Sequence, residues 1–145
     1  MNRNYWLVKQ EPEEFSWDDF CKSQTACWDG VRNYQARNNL KAMQVNDWVL
    51  FYHSVTDKKI MGIAKVTRAA FPDPTTPDAR WVAVELSPLQ SFLEPVTLTV
   101  IKACPALQNL PLIKQSRLSV MPLKPEEFEI LCNLGKTPFH LLPQS

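Results

Sequence analysis

The chain has 145 residues, 45% of them hydrophobic and 21% charged, the size and balance of a single domain, 1–145, with a substantial core. Its net charge of +1 argues against a protein that grips nucleic acid chiefly through phosphates, which needs a basic field, but leaves room for one that reads a base in a pocket. No apolar run approaches the length of about 18 residues needed for a membrane-spanning helix, and the N-terminal stretch has no small-residue cleavage site. The expectation is therefore a cytoplasmic protein with no membrane partner.

"NYWLVKQ" (4–10) sets Tyr5, Leu7 and Lys9 against Trp6 and Val8 and reads as a strand, ended by Pro12. "SWDDFCKS" (16–23) opens with Ser16 and Asp19 in capping-box spacing, so a short helix follows. Asp29 or Gly30 then leads into a helix from about Val31 to Met43. On that helix Val31, Tyr34, Asn38 and Ala42 share one arc, while Ala36, Leu40 and Met43 fall in a nearly opposite one, which predicts packing on two sides.

"NDWVLFYHS" (46–54) is a strong strand, and "KKIMGIAKVTRAAF" (58–71) is its antiparallel partner, with Gly62 marking a bulge or a close backbone approach. "PDPTTPDA" (72–79) is a loop. "RWVAVELSPLQSFL" (80–93) is a strand interrupted at Pro88, and "PVTLTVIKA" (95–103) is either a strand or a short helix capped by Thr97. "LPLIKQSRLSVMPL" (110–123) is part loop, part strand. "KPEEFEILCNLG" (124–135) is the clearest helix, with Pro125 in its first turn, Phe128, Leu131 and Cys132 on its apolar side and Gly135 as its cap. In the tail, Phe139 and Leu141 are expected to pack before the chain frays. Four to six strands with short helices and no βαβ rhythm point to an α+β fold around a mostly antiparallel, barrel-like sheet.

Cys21, Cys27, Cys104 and Cys132 form no CxxC pair, and His53 and His140 are far apart, so neither a metal nor any other cofactor is expected. His53, Ser54 and Asp57 make a poor triad because adjacent strand residues point to opposite faces.

"YWLVKQEPEEFSWDD", "CWDGVRNYQARNNLKAM", "VLFYHS", "GIAKVTRAAFPDPT", "KQSRLSVMPL" and "EEFEILCNLG", in this order and over nearly the whole chain, resemble the EVE domain family in its bacterial stand-alone form. Two departures show. The family usually reads K-S-E-P where this chain has Lys9-Gln10-Glu11-Pro12, and the loop after "PDPT" is short. The resemblance implies a PUA-like fold, a curved, mostly antiparallel β pseudo-barrel flanked by short helices. It also implies a pocket for a modified base, 5-methylcytosine or 5-hydroxymethylcytosine, in DNA rather than RNA.

Such a pocket needs an aromatic platform, hydrogen-bonding groups for the base edge and cations for the flanking phosphates. Trp28, which precedes a turn, is the leading platform, with Trp6, Tyr34 and Tyr52 as others; Trp48 and Trp81 sit mid-strand and read as core. Lys9 and Glu11, two apart on a strand and so on one face, join Asn33, Asn38, His53, Ser54 and Ser116 as pocket residues. Arg32, Arg37, Lys114 and Arg117 are the phosphate contacts. The plainer roles are a core Trp28, asparagines that tie down loops, a satisfied half-buried His53, a surface Lys9–Glu11 pair and solvated arginines. One enzymatic alternative stands: an ASCH-like amidohydrolase of modified nucleosides with Lys9 and Glu11 as its acid–base pair. An RNA-binding domain is the other. The sequence does not specify an oligomeric state.

Overall fold

The computed structural model describes residues 3–138; Phe139, His140 and Leu141 lie outside them. Among the described residues six strands form one open mixed sheet. In chain order they are β1 (Tyr5–Gln10), β2 (Ala26–Trp28), β3 (Trp48–His53), β4 (Lys59–Pro72), β5 (Val82–Thr97) and β6 (Val120–Leu123), arranged β2-β5-β4-β3-β1-β6. Every pairing is antiparallel except β1 with β3. That parallel pair is a departure from the expected absence of a βαβ rhythm: the segment between the two strands carries α1 (Trp17–Ser23), β2 and α2 (Tyr34–Ala42) as a crossover. Three further helices follow: α3 (Leu98–Ala103), α4 (Pro111–Lys114) and α5 (Pro125–Leu134).

The long β4 and β5 bend through four shifts of register. Gly62 lies at one of them. A Cβ there would stand 2.5 Å from the Trp17 ring and 2.7 Å from the Gln90 carbonyl, so only glycine lets α1 lie this close to the sheet. Pro88 does not interrupt β5; it sits opposite Ala64 at another shift of register, where a missing N–H is tolerated.

β3 is buried along its whole length, because β1 and β4 flank it and both its faces are covered. On one face Tyr5 and Trp48 meet Phe128 of α5. On the other, Phe51 packs against Trp17, Phe20 and Trp28. Beneath β1, Asp47 is buried and accepts from Trp6 Nε1 (2.9 Å), Gln44 N–H (2.9 Å) and Asn4 N–H (3.2 Å).

Local signals fix several ends. Ser16 and Asp19 close the capping box of α1. Thr97 caps α3, which resolves 95–103 as the end of β5 followed by a helix. Gly135 ends α5 without a left-handed backbone; it is glycine because a Cβ would stand 2.4 Å from the Phe92 ring.

α2 starts later than expected, at Tyr34, because Asn33 is its cap: Oδ1 accepts from Ala36 N–H at 2.9 Å. It is also not packed on two sides. Ala36 and Leu40 are buried, while Tyr34, Asn38 and Ala42 face solvent.

Candidate functional site

β1 and β3 end side by side. Lys9 stands opposite Tyr52 and Gln10 opposite His53, and Ser54 N–H closes the pair by donating to the Gln10 carbonyl at 2.9 Å. Neighbours across a ladder share a face and successive residues alternate. Lys9 and Tyr52 therefore look to one side of the sheet, Gln10 and His53 to the other. A cleft opens at this strand end on each side, and Gln10 belongs to the wall of both.

The larger cleft, about 500 Å³, is built on the Lys9 side. Tyr52, Ser54, Glu11, Ser116 and Ser119 line it with Lys9; Leu98 and Lys102 come from α3, Leu112 from α4, and Val55 and Lys58 from the loop after β3. Lys9 Nζ donates to the Ser116 carbonyl at 2.8 Å, and burial lowers the ammonium from its ordinary value. Tyr52 is 3% exposed, and burial pushes its phenol up to about 12, so it remains a neutral donor. Its hydroxyl makes no hydrogen bond among the described residues.

The smaller cleft, about 340 Å³, is lined by Gln10, Phe15, Ser23, Thr25, Cys27, Trp28 and Asp29, with Ala26. Trp28 is 5% exposed and packs edge-on against Phe51 (5.6 Å) and Phe20 (6.5 Å). Unlike Trp6 and Trp17, whose indole N–H groups donate to Asp47 and Ser91, Trp28 has no hydrogen-bond partner for its own among the described residues. Gln10 Oε1 accepts from Glu11 N–H (3.0 Å), which leaves the amide N–H₂ with no partner among the same residues. Asp29 is exposed. Partial desolvation and a hydrogen bond to Asp29 raise the Cys27 thiol to about 11, so this cysteine is a weak donor and not a nucleophile. The cleft thus combines aromatic walls, two unspent N–H donors and a carboxylate.

Beside it, Asp73 organises the loop that follows Trp28. It is buried and accepts from Gly30 N–H (2.8 Å), Arg32 Nη1 (2.9 Å) and the Thr75 N–H (2.7 Å) and hydroxyl (2.6 Å). Burial pushes its carboxyl up, but these hydrogen bonds outweigh it and hold the group well below the usual range. On the outer surface Tyr34, 51% exposed, stacks on Trp81 at 5.1 Å. Arg37 lies over the Tyr34 ring, and Arg32 and Arg80 approach Trp81. Trp81 is therefore half-buried just ahead of β5, under the Tyr34 ring, and not the strand-core residue that its position implied.

A family model described as the EVE domain matches residues 4–134. The chain belongs to the EVE domain family. Mouse thymocyte nuclear protein 1 is 35% identical over 92% of this chain and 74% of its own length. The crystal structure of Atu2648 from Agrobacterium tumefaciens superposes with a TM-score of 0.91 at 39% identity, covering 92% of this chain and 94% of that one. Human THYN1, solved in complex with 5-methylcytosine-containing DNA, superposes with a TM-score of 0.85 at 32% identity, covering 92% and 98%. A YTH domain from Zygosaccharomyces rouxii, 14% identical with a TM-score of 0.60, shares the fold.

In this EVE domain the residues singled out from sequence divide. Lys9, Glu11, Tyr52, Ser54 and Ser116 meet in the larger cleft; Trp28 lines the smaller one. Four others line neither cleft. Asn33 is spent as a helix cap, and Asn38 is exposed, holding Arg37 through Oδ1 (2.7 and 3.1 Å). Tyr34 belongs to the outer stack with Trp81. His53 is buried: Nε2 accepts from Trp17 N–H (3.0 Å), so Nδ1 carries the proton and donates to Asp57 (3.0 Å). With both nitrogens engaged it cannot serve Ser54 as a base. Trp28 lines the smaller cleft with only 5% of its surface exposed. Trp6 is buried with its N–H bound, and so is no platform.

Arg32 and Arg37 flank the smaller cleft's loop, whereas Lys114 and Arg117 are exposed on either side of Ser116, beside the larger cleft. Lys9 and Glu11 share a cleft as their spacing implied, but form no ion pair among the described residues. Sequence reasoning missed Gln10, Phe15 and Asp29 as cleft residues. The signal was present for one of them: Gln10 departs from the family's K-S-E-P pattern. No described helix is long and apolar enough to cross a membrane, and no group of three His, Cys, Asp or Glu side chains among the described residues could hold a metal ion.

Proposed function

We propose that this EVE domain binds DNA by taking one base, a cytosine carrying a 5-methyl or 5-hydroxymethyl group, into the smaller cleft. The observation that carries the proposal is Trp28: a nearly buried indole whose N–H has no partner, in a cleft that also holds the free amide of Gln10 and the carboxylate of Asp29. Both N–H groups open onto the cleft rather than into the core, and a base edge supplies their partners.

Cytosine presents an amino group next to two acceptors. Asp29 accepts from the amine, while Trp28 and Gln10 donate to the acceptors. Phe15 gives the 5-substituent an apolar wall. The Tyr34–Trp81 stack, with Arg37 free of any carboxylate partner among the described residues, meets the flanking backbone. The complex of human THYN1 with 5-methylcytosine-containing DNA supports the same class of ligand here.

Binding, not turnover, is the activity proposed. Of the lysines in the larger cleft, Lys9, the one whose ammonium burial lowers, already donates to a carbonyl, and His53 has both nitrogens engaged.

The test is fluorescence anisotropy with duplexes that differ only at one cytosine. Burying the methyl group contributes about 0.8 kcal/mol, or about fourfold, so the methylated duplex binds at least that much tighter. Few phosphates are neutralised, so affinity falls only shallowly with salt. Equal affinity for the two duplexes with a steep salt dependence would overturn the proposal. Tighter binding to the matching RNA would replace DNA as the polymer.

A further inference from the structure

We propose that the larger cleft, on the sheet face opposite the base cleft, is a second ligand site, and that it takes a nucleoside 5′-monophosphate. It is a built site and not a gap between loops. Tyr52, 3% exposed, lines it with a hydroxyl that has no partner among the described residues. Directly opposite in the ladder, Lys9 has spent one of its three ammonium hydrogens on the Ser116 carbonyl. Lys58 and Lys102 reach the same cleft from two other elements, and none of the three lysines forms an ion pair among the described residues.

Convergent unpaired lysines, a buried neutral phenol and the Ser54 hydroxyl are the chemistry of a phosphate site. A bare phosphate would leave most of a cleft of about 500 Å³ empty. The rest of the lining says what accompanies it. Leu98 and Leu112 form an apolar wall suited to the face of a ring. Glu11 and Glu14, also without ion pairs among the described residues, can accept from sugar hydroxyls and a base amine. An anion joined to a flat, donor-bearing body is a nucleotide. It comes either from the free pool or from within a bound strand.

The experiment is an amide-resolved NMR titration of the whole chain with deoxycytidine 5′-monophosphate, with inorganic phosphate and with a 5-methylcytosine oligonucleotide. The nucleotide is expected to shift Tyr52, Ser54, Lys58 and Leu98. Phosphate is expected to shift a subset of these at least tenfold more weakly. Tyr52→Phe, which removes only the hydroxyl, is expected to weaken nucleotide binding about tenfold, the effect of one hydrogen bond to a charged group, with its melting temperature retained. Shifts of these amides by the oligonucleotide, lost in Lys9→Met, identify a nucleotide within a strand as the source; shifts by the free nucleotide alone identify the pool.

Three results overturn the proposal: nucleotide shifts confined to Cys27–Gly30, equal affinity for phosphate and nucleotide, or full affinity in Tyr52→Phe. Loss of preference for methylated DNA with the nucleotide shifts intact would remove the base-binding function and leave this one standing.

Discussion

Replacing Asp29 with alanine separates base reading from plain attraction to DNA, because the two predict opposite signs. Asp29 is exposed and forms no ion pair among the described residues; its carboxylate holds only the weak Cys27 thiol donor, and its backbone N–H, which donates to the Cys27 carbonyl at 3.1 Å, survives the change. Folding stability should therefore move by no more than about 0.5 kcal/mol. Removing a negative charge about 7 Å from a phosphate would by itself favour binding, by about 0.6 kcal/mol in water and by a few tenths once salt screens it. Losing a carboxylate that accepts from a base amine costs about 1.5–3 kcal/mol. The second effect wins, and the net loss of about 1–2.5 kcal/mol is roughly 5- to 70-fold in Kd. Anisotropy at several salt concentrations reads it directly. The affinity for 5-methylcytosine DNA should fall in parallel at every salt concentration, because no phosphate contact is removed. Unchanged or tighter binding by Asp29→Ala would refute the assignment of this carboxylate to the base edge.

Trp28→Phe keeps most of the packing against Phe20 and Phe51 but deletes the unpaired N–H. It should weaken binding several-fold at a cost of about 1–2 kcal/mol in stability, whereas a variant that binds as tightly as wild type in its folded fraction would make Trp28 a core residue only. The loop held by Asp73 should be acid-sensitive. Its carboxyl lies below the unfolded value of about 3.9, so its contribution is complete above that pH and disappears as the pH falls through the folded value. Denaturant midpoints between pH 7 and pH 2.5 should thus drop less in Asp73→Asn than in wild type, and parallel curves would show that Asp73 is not the group responsible.

Much of the fold was legible because its signals are local. Ser16 with Asp19, Thr97 and Pro125 mark helix starts through hydrogen bonds or φ preferences that act within four residues. The site was less legible because it is assembled by register. Sequence reasoning placed Trp28 and Lys9 in one pocket, since both looked polar or aromatic beyond what a core requires. The ladder puts them on opposite faces. Lys9 pairs with Tyr52 and Gln10 with His53, and a shift of one residue would exchange the two sets. Burial of Trp28 depends on β2 pairing with β5, where Trp28 stands opposite Val84, a contact no short-range pattern announces.

α2 misled for a related reason. Its polar residues suggested a wall shared with a pocket, but each has a near partner: Asn33 caps its own helix, Asn38 holds Arg37, and Asn39 Nδ2 donates to the Val120 carbonyl at 2.7 Å to tie the helix to β6. Polarity on that helix is spent on structure. The unspent donors lie elsewhere, at Trp28 and Gln10, and the second of these is where the chain leaves its family's pattern. Gln10 anchors its oxygen on Glu11 N–H and leaves its amide at the cleft wall, where the proposed base would meet it.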